Sequence, residues 1–560
     1  NRMIMNNRYI YGIGAALLMS LGTGCTDTWE QHYRQEAAGG NTLWEEISSR
    51  SELSNFAKVI DACGYSIVLN GSQTYSVFAP TNDYLSLAEA DSLIESYTLQ
   101  KSQGVKTNDN RVITQFVHNH IALYRKSVSS MTNDSISMMN GKYQVLTQTG
   151  IGGQTFEASN ELHSNGVLYT LNGQVEYFPN VFEYLGLDPE LDSVYHFINS
   201  YSVYDFDPNQ SVAGGIVDGE TVYLDSVVVL RNNLLSQYGL INSEDSTYWM
   251  LAPTNTAWTE LYNEYREYFV YDKSLAAADS LQENNAKMSI LMGAFFNRTD
   301  NPDAAFQDSA LSTIAPTALM RLLQDAEPKG IYYKPFEAGG IFDGTEDIVC
   351  SNGHVRKAET FNIDKSKTFL QTIKVEAENL INQKSLLECE TPLTIRTVSM
   401  DNAFYNKLSG NAYVDVIPKN TSEDPDKFPA PKVTFSIPGT LSNIPYDIYI
   451  VTAPVEAYNT YATDEDRLPN RIRGILNFNN LDGKTQTKRL NAVESTSGSV
   501  DTLLIGSNVV FPTSAYGLAE PVVNLQILSQ VSRNQTTQYS NTMHLDCIIF
   551  KPHVDEVEGE

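Results

Sequence analysis

Two patterns of apolar residues divide the chain. Up to about Thr368, short apolar runs sit between stretches with helical spacing, and beyond it strand-length runs follow one another, separated by Asn, Gly, Pro and Asp. In NTLWEEISSRSELSNFAKVIDACGY, the recurrence of Leu43, Ile47, Leu53, Phe56, Val59 and Ile60 predicts amphipathic helices broken near Ser51, and Gly64 predicts their stop. YSVFAP at 75–80 predicts a short buried strand. The Pro-Thr-Asn-Asp after it predicts a turn in which Thr81 and Asn82 offer side-chain oxygens to the amides of the next helix, the one carrying Tyr84, Leu85, Leu87 and Leu93. RVITQFVHNHIALY predicts a helix with Val112, Ile113, Phe116, Val117 and Ile121 turned to the core. NGVLYTLNGQVEYF at 165–178 predicts a hairpin-like strand pair with Asn-Gly turns.

The same order is written twice. WMLAPTN at 249–255 repeats SVFAPTND at 76–83, with LDSVVVLRNNLLSQYGL before it, MSILMGAFFN after it as the later helix, and SNGHVRKAETFNI at 351–363 in place of the Asn-Gly strand pair. The offset from Ala79 to Ala252 is 173 and from Asn165 to Asn352 is 187, so the copies keep register apart from a modest insertion. These residues resemble the fasciclin domain, with its TVFAPTN-like strand and turn at 76–85 and its NGVIHVID-like closing strand at 165–171. The second copy departs from that pattern, having Leu251 where Phe is usual and Arg356 and Lys357 inside the closing strand. The resemblance implies a compact α/β fold with a small β-sandwich wedge and a layer of helices, used for adhesion and matrix contact more than for catalysis.

Beyond Thr368 about nine runs, from TIKVEAENL to MHLDCIIFKP, predict an antiparallel β-sandwich. Its opening VEAEN and closing LDCIIFKP look like those of jelly-roll, galactose-binding-like modules. The expected architecture is therefore multidomain α+β: residues 1–25 a lipoprotein signal peptide, 26–40 a tether, 41–187 and 188–365 two fasciclin-like α/β domains, and 368–555 the jelly-roll-like antiparallel β-sandwich. The tether and the polar stretch at 363–368 are the expected protease-sensitive linkers.

Charge and cysteine narrow the function. A net charge of −29, with Lys and Arg scattered, repels phosphate backbones and excludes nucleic acid as a partner. Cys63, Cys350, Cys389 and Cys547 are widely spaced without a CxxC pair, which removes zinc and thioredoxin-like readings. Buried free thiols are expected, with a bridge between Cys389 and Cys547 as the alternative. Arg2 and Arg8 precede the apolar run YIYGIGAALLMSL, then GTG and Cys25. That order reads as a secretory leader, and the run is shorter than the roughly twenty residues a spanning helix needs. A cysteine after small residues resembles the bacterial lipobox, although Gly22 stands where a large aliphatic residue is usual. The resemblance implies that Cys25 carries acyl chains such as palmitate. Seven Asp-Ser or Asp-Thr triplets, at Asp91, Asp134, Asp192, Asp225, Asp279, Asp308 and Asp501, resemble the O-glycosylation sequon of exported Bacteroidota proteins.

The sequence contains no GxSxG, HExxH, Walker or GxGxxG motif in a suitable context, so neither catalytic residues nor a cofactor is expected. His118 and His120, two apart on a helix, point to different faces and are read as part of the fold rather than as a metal site. DPNQ at 207–210 and SEDPDK at 422–427 lack calcium-loop spacing and read as solvated turns. In the sandwich, EAYNTYATDED at 456–466 places Tyr458 and Tyr461 beside Asp464 and Asp466, which makes these four the candidate ligand contacts. All four tryptophans precede residue 260, so stacking there would fall to tyrosine. The expected function is a non-catalytic, surface-exposed outer-membrane lipoprotein. Its composition resembles accessory lipoproteins of SusC/SusD-type importers, with a polysaccharide or peptide as ligand and the importer and its lipoprotein as partners. An adhesin contacting host or neighbouring-cell matrix is the alternative, and a glycan-active enzyme the third. Replacement Cys25→Ser is expected to move the protein out of the membrane fraction and lower its mass by the acyl chains. Unchanged fractionation and mass would show that Cys25 carries no lipid.

Overall fold

The computed structural model describes residues 40–206, 212–217, 220–225, 228–245, 247–297, 310–312, 331–420 and 426–553. The expected leader, Cys25, nearly all of the tether, DPNQ, Asp308 and most of SEDPDK lie outside these residues. The described chain forms two compact units that part between Phe178 and Pro179.

In the first unit the helices α1 (Leu43–Ser49), α2 (Ser54–Ala62), α3 (Ser66–Leu69) and α4 (Leu87–Ser102) cover one seven-stranded sheet. Its strands are β1 (Tyr75–Pro80), β2 (Ile121–Leu123), β3 (Asn133–Ser137), β4 (Tyr143–Thr147), β5 (Gly150–Ile151), β6 (Gln154–His163) and β7 (Gly166–Leu171). They lie in the order β2-β1-β7-β6-β5-β4-β3, with β1 and β7 parallel in the register Tyr75↔Gly166 to Pro80↔Leu171. Both strands are buried along their whole length, which explains their continuous apolar runs. The helix break near Ser51 and the stop at Gly64, with φ of 82°, stand as the sequence predicts.

Three expectations are corrected. The helix after the first Ala-Pro-Thr-Asn begins at Leu87, where Ser86 and Glu89 form a capping box, and Tyr84 and Leu85 stay in the turn. RVITQFVHNHIALY is helical only as far as His120, through Ile113–Val117 and His118–His120, and Ile121 opens β2. The hairpin partner of β7 is β6, preceding it, because Ser164-Asn165 is the turn and Gly166 already pairs with His163; the segment after Leu171 adds no strand.

The second unit repeats this plan. Its helices are α5 (Val181–Leu185), α6 (Asp192–Asn199), α7 (Leu235–Tyr238), α8 (Asn255–Tyr265) and α9 (Ala278–Leu291). Two hairpins, β8 (Ser202–Phe206) with β11 (Val228–Asn232) and β9 (Val212–Val217) with β10 (Glu220–Asp225), precede β12 (Tyr248–Pro253). β12 pairs with β13 (Phe295–Asn297) and, in parallel, with β17 (Gly353–Ala358) in the register Tyr248↔Gly353 to Pro253↔Ala358. β16 (Glu346–Cys350) completes that sheet, and β14 (Ala310–Ser312) with β15 (Ile331–Tyr333) stands apart. The expected helix MSILMGAFFN is split, its first half ending α9 and its last residues forming β13.

The duplication is most explicit in two asparagines. Asn165 Nδ2 donates to the carbonyls of Leu69 and Gly71, both at 2.7 Å, and its Oδ1 accepts from Leu43 N at 2.8 Å. Asn352 does the same with Ile241 (2.8 Å), Ser243 (2.7 Å) and Val181 N (2.8 Å). The glycine after each must lack a side chain, since a Cβ on Gly166 or Gly353 would sit 2.2 Å or 1.7 Å from the carbonyl oxygen of Tyr75 or Tyr248. The Asn of Ala-Pro-Thr-Asn is also used twice alike, but backwards along the chain. Asn82 holds Asn55 N and Ser51 O, and Asn255 holds Ser193 N and Pro189 O, so each ties down the helix before its strand. Thr254 caps α8, whereas Thr81 caps no helix. Arg356 and Lys357 do not interrupt β17. Arg356 lies over Phe336 and Phe342 and 3.3 Å from Asp347, and Lys357 reaches Asp188 at 3.0 Å and also Glu190. Leu251, in register with Arg356, replaces the stack that Phe78 makes with Tyr169.

Among the described residues, eleven strands form the sandwich. One sheet holds β18 (Ile373–Glu376), β20 (Thr394–Thr397), β21 (Ala412–Val416), β23 (Pro445–Thr452), β26 (Asp501–Val510) and β28 (Met543–Pro552); the other holds β19 (Gln383–Leu387), β22 (Lys432–Ile437), β24 (Arg471–Asn479), β25 (Thr485–Glu494) and β27 (Val523–Ser529). The stretch at 363–368 is no loose linker. Ile363, Thr368, Phe369 and Leu370 are buried, and one apolar core runs from α5 to β28 without a gap. Phe369 meets Tyr265 at 4.8 Å and Phe269 at 5.7 Å, Tyr271 donates to Tyr516 O at 2.6 Å, and Ser514 N donates to Val270 O at 2.6 Å.

Replacing Asn165 or Asn352 by Ala strands one buried amide and two carbonyls, and each variant is expected to lose roughly 2–4 kcal/mol in urea unfolding. A loss below 1 kcal/mol would show that water takes over those bonds.

Candidate functional site

The four residues singled out in the sandwich lie on the loop that leaves β23. A helical turn at Val455–Ala457 starts it, and Tyr458 and Tyr461 project from it with 56 % and 92 % of their surface exposed. The loop is internally bonded. Asp466 Oδ2 accepts from Thr463 N and Oγ1, both at 2.8 Å, and these bonds hold its carboxyl below the ordinary range. Asp464 lies 3.4 Å from Arg467, which also bonds Glu456 at 2.7 Å. The structure thus leaves both rings and Asp464 exposed on the same loop, whereas Asp466 serves the loop itself.

Beneath Tyr458 a polar ladder crosses three adjacent strands, which sequence reasoning missed. Arg396 of β20 lies 4.2 Å from the Tyr458 ring centroid and donates through Nε to Asp415 Oδ2 of β21 at 2.6 Å. His544 of β28 stands in register with Asp415, its Nδ1 2.6 Å from Oδ1. Burial works against the Asp415 carboxylate, yet the bonds and charges of His544 and Arg396 outweigh it and hold its pKa below the ordinary value. A histidine so oriented is half of a general-base arrangement, but among the described residues no hydroxyl is bonded to it.

A second cluster lies on the same strand. Between Leu545 and Ile548, β28 carries two residues where β23 carries one, a bulge that turns Asp546 and Cys547 towards Glu376 of β18. The ligand atoms of Glu376, Asp546 and Cys547 lie within 4.8 Å of one another. Ser409 donates through Oγ to Glu376 Oε1 at 2.5 Å and through its backbone N to Asp546 Oδ2 at 3.2 Å, and Lys374 reaches Ser409 at 2.7 Å and Glu376 at 3.1 Å. Glu376 Oε2 and Asp546 Oδ1 are buried without a partner. Burial, helped by the charges of Glu376 and Glu378, pushes the Asp546 carboxyl up to about 7, and burial also raises the Cys547 thiol. Oxygen donors with a neutral thiol beside them suit a hard divalent cation. Sequence spacing concealed this set because its members lie 170 residues apart; the one signal was a pair of acids in VEAEN alternating with core positions, facing an Asp in a closing apolar strand.

His118 and His120 stay in the first unit's core, as expected. His118 Nε2 pairs with the Tyr65 hydroxyl; His120 bonds Phe116 O at 2.8 Å and accepts from Val175 N at 3.1 Å. The four described cysteines are free and buried. Two open grooves, of about 600 Å³ beside Arg111, Phe116 and Tyr177 and about 500 Å³ beside His196, Trp258 and Lys287, have no unpartnered buried polar atom among their described lining residues.

Neither a family model nor a curated protein sequence matches the chain. Similar solved structures include a FAS1 domain pair from the insect cell adhesion molecule Fasciclin I, at 12 % identity and TM-score 0.17, covering 58 % of this chain and 97 % of that one. They also include the CBM22-1 xylan-binding domain of Paenibacillus barcinonensis Xyn10C, at 12 % identity and TM-score 0.20, covering 33 % and 93 %. A third is the C-terminal family 22 carbohydrate binding module of Clostridium thermocellum Xyn10B, at 9 % identity and TM-score 0.19, covering 33 % and 94 %. These scores carry no functional weight; two mixed α/β repeats followed by sandwiched sheets rest on the strand registers above.

Burial lowers both His118 and His120 to a pKa of about 4, so both are neutral in the fold. As pH falls the unfolded chain takes up protons first. The stability they contribute is therefore complete above about pH 6.5 and lost as pH drops towards 4, by up to about 3 kcal/mol each. Urea midpoints are expected to fall over that interval, and less steeply in a His118→Gln, His120→Gln double variant; equal slopes would place the pH dependence elsewhere.

Proposed function

We propose that this protein is a non-catalytic binding protein, anchored by acyl chains on Cys25 at the outer face of an outer membrane, whose sandwich captures a polysaccharide or peptide for a SusC/SusD-type importer. The observation that carries the reading is the pair of exposed rings at Tyr458 and Tyr461, one of them backed by Arg396 at 4.2 Å. Exposed aromatic faces beside charged and amide groups suit a ligand with apolar ring faces and hydroxyl edges, because stacking and hydrogen bonding are then satisfied together. Arg396 keeps the Tyr458 ring in place, and Asp415 and His544 in turn hold Arg396.

Affinity electrophoresis against a panel of plant and bacterial polysaccharides tests this. Tyr461→Ala and Tyr458→Ala are each expected to weaken retardation roughly two- to tenfold. Full retention of binding in both variants would remove the rings from the site. Isolation from native membranes in mild detergent separates the remaining readings. A co-purifying β-barrel importer with its lipoprotein supports uptake, binding to matrix proteins by a solitary chain favours the adhesin, and glycan turnover abolished by one carboxylate change overturns both.

A further inference from the structure

Charge is unevenly distributed within the sandwich. The whole chain carries 67 acidic residues against 38 Lys and Arg. The strands of the five-stranded sheet reverse that ratio. β19, β22, β24, β25 and β27 contain Lys384, Lys432, Arg471, Arg473, Lys488 and Arg489, but a single acid, Glu494. The inward positions of this sheet are apolar, with Val433, Phe435, Ile472, Leu476, Leu525 and Ile527 in the core, so the residues alternating with them stand on its outer face. Strand register sorts that face into rows. Lys432, Leu528 and Arg473 form one; Thr434, Gln526, Ile475 and Arg489 form the next; Ser436, Asn524, Asn477 and Thr487 form the third.

Most cations of this face have no counter-charge. Arg471 is engaged by Glu494 at 3.3 Å and lies over the Tyr539 ring. Lys432, Arg473 and Arg489 have no ion-pair partner among the described residues, and Nε of Arg473 is buried without a hydrogen-bond partner. A half-buried guanidinium has lost hydration that nothing in the fold replaces, so an anion set against it gains more than it would at an exposed lysine. The amides beside it are only partly used. Asn477 accepts from Thr487 at 2.8 Å, Asn524 accepts from Ser436 at 3.3 Å and Gln526 donates to Thr434 at 3.4 Å, which leaves Nδ2 of both asparagines and Oε1 of Gln526 open among the described residues.

Three features select the partner. A broad anionic surface would bring the rest of a body of net charge −29 within a Debye length of about 8 Å, whereas a narrow chain meets the local cations alone. The five strands carry no Trp or Tyr, and their two phenylalanines, Phe435 and Phe478, pack into the core, so these strands offer no ring on which a sugar chain could stack. Alternate side chains of an extended peptide recur about 7 Å apart, a spacing that the long side chains of Lys432, Arg473 and Arg489 can follow across strands about 5 Å apart. We propose that the outer face of the five-stranded sheet docks an extended acidic segment of a polypeptide, with Arg473 as its anchor, Lys432 and Arg489 on either side, and the open amides meeting its backbone. The face uses no residue of the loop of Tyr458 and Tyr461, so it stands or falls apart from the function proposed above.

Fluorescence anisotropy of labelled decaglutamate titrated with the full chain tests this, with oligogalacturonate of the same length as competitor. Saturable binding at low salt is expected, weakening severalfold at about 150 mM NaCl. Arg473→Gln is expected to weaken it about tenfold and Arg489→Gln about threefold, whereas Lys551→Gln, on the outer face of the other sheet, should leave it unchanged. Because Arg473 Nε has no partner to lose, Arg473→Gln should also keep the urea midpoint of the unmodified chain, which a structural arginine would not. The Lys432→Gln, Arg489→Gln double variant leaves Arg473 in place, is expected to lose about tenfold as well, and keeps the test valid if Arg473→Gln does not fold. No saturable binding of decaglutamate at low salt overturns the proposal, as does binding that these variants retain in full. Tighter binding of oligogalacturonate would make the face a polysaccharide site, and displacement of the peptide by vesicles of equal parts phosphatidylglycerol and phosphatidylcholine would make it a membrane contact; either result overturns the acidic peptide.

Discussion

One interaction recurs and organises both repeats: two buried parallel strands held in register by an asparagine that clips the turn at their edge. In the first unit Tyr75 pairs with Gly166, in the second Tyr248 with Gly353, and in each the preceding Asn bonds one amide and two carbonyls from segments far away in sequence. Parallel pairing needs a long crossover, which costs loop-closure entropy and leaves strand ends without local partners. The asparagine offsets this by satisfying three backbone groups at one point, and the glycine beside it lets the strands approach. Helices on either side inherit their positions from that clip, because Leu43 and Val181, the residues it holds, open the first helix of each repeat.

The second repeat and the sandwich share one core although they belong to different layer types. Phe369 lies among Tyr265, Tyr268 and Phe269, and backbone groups of Val270 and Tyr268 exchange hydrogen bonds with Ser514 and Ser442. Contacts of this kind resemble the interior of one domain more than a seam between two, so the sandwich is held at a fixed orientation to the repeat before it. The sheet that carries the loop of Tyr458 and Tyr461 is consequently anchored in the core it shares with the repeat.

The outer face of the six-stranded sheet concentrates the polar chemistry of the sandwich. Arg396, Asp415 and His544 form a satisfied ladder there, and the β28 bulge brings a second, unsatisfied set a few residues further on. The difference between them is charge balance. Asp415 faces two cationic or donor groups that hold its pKa down, whereas Asp546 faces two acids and burial that push it up. The first arrangement is satisfied; the second leaves Glu376 Oε2 and Asp546 Oδ1 without a partner.

Much of this was written in the sequence, because short-range patterns are set by local physics. Continuous apolar runs gave the buried strands β1, β7 and β12, the double Ala-Pro-Thr-Asn gave the duplication, alternating runs gave the sandwich, and aromatic residues in a polar loop marked Tyr458 and Tyr461. The sequence also placed His118 and His120 in the core correctly. What tertiary structure alone decided were the partners at long range. The hairpin of β7 is formed with β6 and not with the segment after it, since Ser164-Asn165 supplies the turn. Asn82 and Asn255 hold the helix behind them, which no N-cap rule foresees. The stretch at 363–368, polar in sequence, is buried because the two layers it joins close over it. The ladder of Arg396, Asp415 and His544 and the cluster of Glu376 and Asp546 were invisible because strand order, not spacing, makes distant residues neighbours, and because a single-residue bulge decides which way a side chain faces.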